Sequence, residues 1–186
     1  LLSQSRFVRA AQAGAVLAVV LGLGMVETAD ARNPEDVFRG QIITSAKRIP
    51  TKASSKSAYI SQLKRQKTGR FYENKSTKSW KVYYTAFFKK PLNSLEVTVK
   101  IYDLSGNGKR MLASFEQYMD KRGARSITSN VTLNRDDFGV NKNLMMTVES
   151  NGSVLSAARF AIIGEAEKYS GKVDFSEEEA SKGTDD

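Results

Sequence analysis

Asp103, Ser105 and Asn107 are oxygen-bearing residues at alternate positions, with Gly108 next, in the stretch Tyr102 to Arg110, YDLSGNGKR. Oxygen ligands at the first, third and fifth positions and glycine at the sixth open a calcium-binding loop, which is completed by a bidentate glutamate at the twelfth. Counted from Asp103 the twelfth residue is Ser114, and Glu116 comes two residues late. Lys109 and Arg110 would repel a cation, and a single carboxylate does not offset the dehydration of calcium. The stretch therefore reads as a glycine-rich connection in which Asp103 makes a side-chain turn bond, and no metal or cofactor is expected.

A second set of residues suggests nucleophilic chemistry. Ser61 and Lys64 have S-x-x-K spacing, and Lys67, Thr68 and Gly69 spell K-T-G. In penicillin-binding enzymes the second motif lies on a distant strand that folds back to the serine. Here it follows within a few residues and the S-D-N element is missing, so the match is coincidental. Asp136 and Asp137 are adjacent, where turn chemistry explains them, and Glu177 to Glu179 belong to a polar tail. The chain contains neither histidine nor cysteine. That excludes disulfides, thiolate catalysis and zinc–cysteine sites, and removes the commonest acid–base residue at neutral pH. No catalytic constellation is expected, and the chain reads as a non-enzyme.

The remaining functional candidate is a basic, aromatic surface: Lys64, Arg65, Lys67, Arg70, Phe71, Tyr72, Lys75, Lys78 and Lys81. Cations interleaved with rings bind phosphates and stack bases or sugars. The whole chain carries +9 at neutral pH, and the imbalance is local. From Arg39 to Lys81 twelve Lys/Arg face one acid, Glu73, whereas Glu165 to Asp186 holds eight acids and three lysines. Such asymmetry fits a basic face with polyanionic partners and an acidic tail; the plain alternative is an ordinary solvated surface with Phe71 and Tyr72 partly in the core. Asn74, Asn130 and Asn151 each begin a glycosylation sequon.

The elements that position these residues are mostly strands. Trp80, Val82, Tyr84, Ala86 and Phe88 alternate with Lys81, Tyr83, Thr85, Phe87 and Lys89, and Leu95, Val97, Val99 and Ile101 repeat the pattern after Pro91 and Asn93. Period two with β-branched and aromatic residues predicts half-buried strands. Further strands are expected near Gly40 to Ala46, Met111 to Tyr118, Ile127 to Leu133, Leu144 to Val148 and Val154 to Ile163. Asn151-Gly152 marks the last hairpin. Tyr59, Ile60 and Leu63 have helical spacing, which predicts a helix over about Ser55 to Gln66 on a long crossover. The expected fold is all-β: an antiparallel β-sandwich of about seven strands with one short helix.

This order of strands over residues 38–164 resembles the immunoglobulin-like and fibronectin-like modules of exported bacterial proteins, at the level of fold and of no specific family. The resemblance implies binding or scaffolding. Export has its own signal. Arg6 and Arg9 precede an apolar run from Ala10 to Val26, and Ala29 to Ala31 form a small-residue cleavage motif. The expected organisation is a signal peptide at 1–31, a domain at 32–164 and an acidic, disordered tail at 165–186, with no membrane span once the signal is removed. The expected location is periplasmic or extracellular. The expected partner is a protein or other envelope component, with an anionic polymer (lipopolysaccharide, acidic glycan or nucleic acid) as the alternative.

Overall fold

The computed structural model describes residues 32–165. The expected signal peptide and the tail beyond Glu165 lie outside the described residues. In chain order the elements are α1 (Pro34–Val37), β1 (Ile42–Ser45), α2 (Lys56–Gln66), β2 (Arg70–Tyr72), β3 (Ser79–Leu92), β4 (Glu96–Asp103), β5 (Arg110–Tyr118), β6 (Ala124–Asn134), α3 (Arg135–Phe138), β7 (Lys142–Ser150) and β8 (Ser153–Ile163).

The strands make two sheets. One has three strands in the order β1-β3-β6; the other has five in the order β2-β8-β7-β4-β5. The period-two residues do what their spacing requires. Trp80, Val82, Tyr84, Ala86 and Phe88 from the small sheet share one core with Val97, Val99, Ile101, Leu144, Met146, Val148, Phe160 and Ile162 from the large sheet. All ladders are antiparallel except that of β2 with β8, which is parallel.

The structure departs from the sequence reading in three respects. An eighth strand, β2, is added at Arg70–Tyr72, too short to show periodicity. Two four-residue helices, α1 and α3, flank strands where turns are also natural. Strand β3 continues through Pro91, with its register against β6 shifting between Phe87 and Leu92. Proline has no amide to donate, so it is tolerated only where the ladder is already irregular.

Helix α2 covers the outward face of the small sheet. Ser55 caps it, its hydroxyl accepting from the Ala58 amide at 3.1 Å. Leu63, with Tyr59 and Ile60 beside it, packs against Ile43, Ile49, Phe38 and Phe87 in a second, smaller core. The Phe38 and Phe87 rings lie 5.2 Å apart. This explains why Thr85 and Phe87, on the supposed outward face of β3, are buried. The hairpin between β7 and β8 turns at Asn151 and Gly152, with φ of 48° and 73°, the left-handed pair that an Asn-Gly turn supplies. No helix among the described residues is long and apolar enough to cross a membrane.

Candidate functional site

The nine residues singled out for polyanion binding fall on α2 and its C-terminal cap, on β2, on β3 and on the turn between β2 and β3. Lys64 and Arg65 are exposed in the last turn of α2, where cations also suit the negative end of the helix dipole, and Lys67 is its C-terminal cap. Arg70 and Tyr72 face outward from β2, Tyr72 with 72% of its surface exposed. Lys75 and Lys78 lie on the turn between β2 and β3, closed by a bridge between Asn74 and Ser79, and Lys81 is exposed on β3.

Phe71 does not belong to this surface. It is 2% exposed and meets Phe160 edge-on at 5.4 Å between ring centroids. Alternation in even a three-residue strand turns the residue between Arg70 and Tyr72 inward. Tyr72 is thus the exposed ring of the set, and the centroid of a further ring, Tyr83, lies 5.4 Å from the Lys81 ammonium.

Charge pairing separates the members. Lys75 pairs with Glu165 at 2.5 Å, which raises the lysine's pKa and lowers that of the carboxylate. Both groups are exposed, so the pair adds little stability. Among the described residues, Lys64, Arg65, Lys67, Arg70, Lys78 and Lys81 form no ion pair with a carboxylate. Glu73, the only acid in this part of the chain, is buried and faces Arg135 at 3.4 Å.

The glycine-rich loop after β4 is wired for structure. The Asp103 carboxylate accepts from the Ser105 amide at 2.8 Å, from Lys142 at 3.1 Å, and lies 3.6 Å from Arg110. The Ser105 amide is the largest influence holding its pKa down, to about 2, against the opposing effect of burial; Lys142 adds to it. The Ser105 hydroxyl accepts in turn from the Asn143 amide, and the Lys109 ammonium lies 3.6 Å from the centre of the Tyr102 ring. The Asp103 and Ser105 side-chain oxygens are thus engaged by protein donors. Ser61 and Lys64 are exposed on α2, and Asp136 and Asp137 are exposed in the first turn of α3.

The strand expected over Met111 to Tyr118 is β5, Arg110–Tyr118, but the sequence left its buried face open. Among the described residues this strand pairs only with β4 and forms an edge of the large sheet. The Met119 amide donates to the Leu95 carbonyl at 2.8 Å, which fixes the phase of the ladder. By the alternation of antiparallel pairs, the backbone groups of Ser114, Glu116 and Tyr118 then point away from β4. Met111 and Tyr118 are exposed on this strand. Leu112 is an extra residue where the register shifts between Ile101 and Tyr102, and that bulge blurs the period-two signal. At the far end of the edge the Gln117 side chain accepts from Ser129 of β6 at 2.8 Å, tying the two sheets together. The chain matches no protein-family model and no curated protein.

Proposed function

We propose that the chain is an exported, noncatalytic β-sandwich of the immunoglobulin-like kind that binds a protein component of the cell envelope along strand β5. With β2 set aside as an addition at the β8 edge, the strand order β1-β3-β6 against β8-β7-β4-β5 supports reading the fold as a seven-stranded Greek-key sandwich. The basic n-region, apolar run and Ala29–Ala31 motif of the first residues support export. The absence of histidine and cysteine from the sequence supports a role without catalysis.

The observation that carries the proposal is the open, nine-residue edge of β5. Natural sheets shorten, charge or cover such edges, because free amides and carbonyls recruit another strand. This one carries exposed Met111 and Tyr118, the side-chain types that anchor strand addition. The test is affinity capture from the native envelope with wild-type protein and Ser114→Pro. Ser114 sits at a rung whose amide points away from β4, so proline removes an edge donor without breaking the β4 ladder. A partner retained at high salt by wild type and lost with Ser114→Pro supports strand addition; equal capture by both proteins rejects it.

A second reading, polyanion binding, is favoured by the unneutralised cations of α2, β2 and β3. Lipopolysaccharide, an acidic glycan or a nucleic acid would run along Lys64, Arg65, Lys67, Arg70, Lys78 and Lys81, with the acidic residues after Glu165 competing. Retention on immobilised heparin should then fall at least about tenfold in affinity between about 50 and 200 mM salt. Removal of residues 166–186 should tighten it. Salt-independent retention, or none, eliminates this reading.

A further inference from the structure

Arg70 and Arg159 line one depression of about 460 Å³, together with Gly69, Leu104, Asn143 and Ala161. Its placement follows from the ladders. Ala161 is in register with Arg70 of β2 on one side and with Asn143 of β7 on the other. Phe160 and Ile162, on either side of Ala161, belong to the core, so Arg159, Ala161 and Asn143 lie on the outward face of the large sheet. A small residue is surrounded there by longer ones, and that makes the hollow. Next to it the Gly69 backbone faces open space, since a Cβ added at this glycine would touch nothing.

The donors in the hollow are unusually uniform. Arg70, Arg159 and Asn143 come from three neighbouring strands. No acidic side chain lines it, and neither arginine pairs with a carboxylate among the described residues. Asp103, which precedes Leu104, is already held by Ser105 and Lys142. The Asn143 backbone is likewise occupied: its amide donates to Ser105 and its carbonyl accepts from Leu104. Two planar cationic forks beside an amide match a tetrahedral oxyanion, because each guanidinium can offer paired donors to phosphate oxygens. The hollow is larger than one phosphate, leaving room for the group that carries it. Alanine and leucine provide an apolar surface for that substituent.

We infer that this hollow is a phosphomonoester-binding site, with Arg70 and Arg159 holding the phosphate and Asn143 orienting it. The site shares Arg70 with the polyanion reading but does not depend on it, since Arg159 and Asn143 lie outside the basic segment. The source of the phosphate is a soluble phosphorylated metabolite or the headgroup of a phosphomonoester lipid.

The test follows amide resonances of the isotopically labelled full chain during titration with inorganic phosphate and a hexose phosphate. In parallel, co-sedimentation with phosphatidic-acid vesicles is compared with phosphatidylcholine vesicles. Shifts centred on Arg70, Asn143 and Ala161 are expected, with affinity reduced about tenfold or more by Arg70→Gln or Arg159→Gln. Both side chains are on the surface, so these variants should fold, which unchanged chemical shifts in the core will verify. Binding of the soluble phosphates assigns a soluble source, and binding of phosphatidic-acid vesicles alone assigns a lipid headgroup. A Lys64→Gln, Arg65→Gln, Lys67→Gln variant should keep phosphate affinity while losing heparin affinity, so failure of one reading is visible apart from the other. Absence of binding in every arm, or binding unaffected by Arg159→Gln, overturns the proposal.

Discussion

Asp103 is the residue whose environment says most about its own role. Its carboxylate is 7% exposed and held by one backbone amide and Lys142, with Arg110 farther off. Its pKa is lowered from 3.8 to about 2, so the group binds protons more weakly when folded than when unfolded. The stabilisation is therefore complete above the unfolded value and is lost as pH falls through the folded one. Asp103→Asn should cost about 2 kcal/mol at neutral pH by linkage. That gap between variant and wild type should close between about pH 4 and pH 2, as measured by denaturant unfolding across this range. A second residue-scale prediction concerns Gly164. A Cβ there would lie 3.2 Å from the Trp80 ring and 3.1 Å from Val140, and would crowd the buried Glu73 carboxylate that faces Arg135. Gly164→Ala should lower the melting temperature, and Trp80 fluorescence should report the displacement.

At the scale of elements, α2 depends on one anchor and one cap. Leu63 is 1% exposed in the small outer core, so Leu63→Ala should cost about 3 kcal/mol. Ser55→Ala should cost about 1 kcal/mol, and chemical denaturation measures both. The cap and the anchor are far enough apart on the helix for the two losses to be roughly additive. Strands β3 and β4 were legible because their inward residues alternate without interruption, and α2 was legible because Tyr59, Ile60 and Leu63 repeat at helical spacing. Strand β2 was not legible: three residues hold no period, and its partner Ala161 is remote in sequence. The same reason hid the phosphate site. Arg70 could be chosen from a basic run, but Arg159 and Asn143 become its neighbours only through ladders. Phe71 was grouped with the surface because composition does not register which way a strand residue points.

For the whole molecule, the two sheets present different outward faces. The small sheet spends its outer face on α2 and Phe38, whereas the large sheet leaves its outer face uncovered by any helix among the described residues. That face carries Lys100 and Glu149, paired at 2.7 Å, with Thr147 donating to the same carboxylate. The Lys100 hydrogen bond is the main reason the Glu149 pKa is lowered, so this pair contributes most above the ordinary carboxylate range and fades as the solution is acidified. Lys100→Met should leave the buried Glu149 without its cation and lower stability more at neutral pH than at pH 3. Thermal melts at the two pH values provide the comparison.

The parallel pairing of β2 with β8 has a consequence for how the chain folds. Every other ladder in the large sheet joins segments that are closer in sequence, whereas β2 and β8 must close a loop of about 90 residues, which is entropically the most expensive closure in that sheet. Pairing of such remote segments is slow, so this seam zips up after the hairpins. It is only three residues wide and opens again at the lowest cost when the domain is warmed or loaded. The phosphate hollow straddles the seam, with Arg70 on one side and Arg159 on the other. A bound phosphate would therefore act as a rivet, and amide exchange along β2 would slow in proportion to occupancy while exchange in β4 stayed constant.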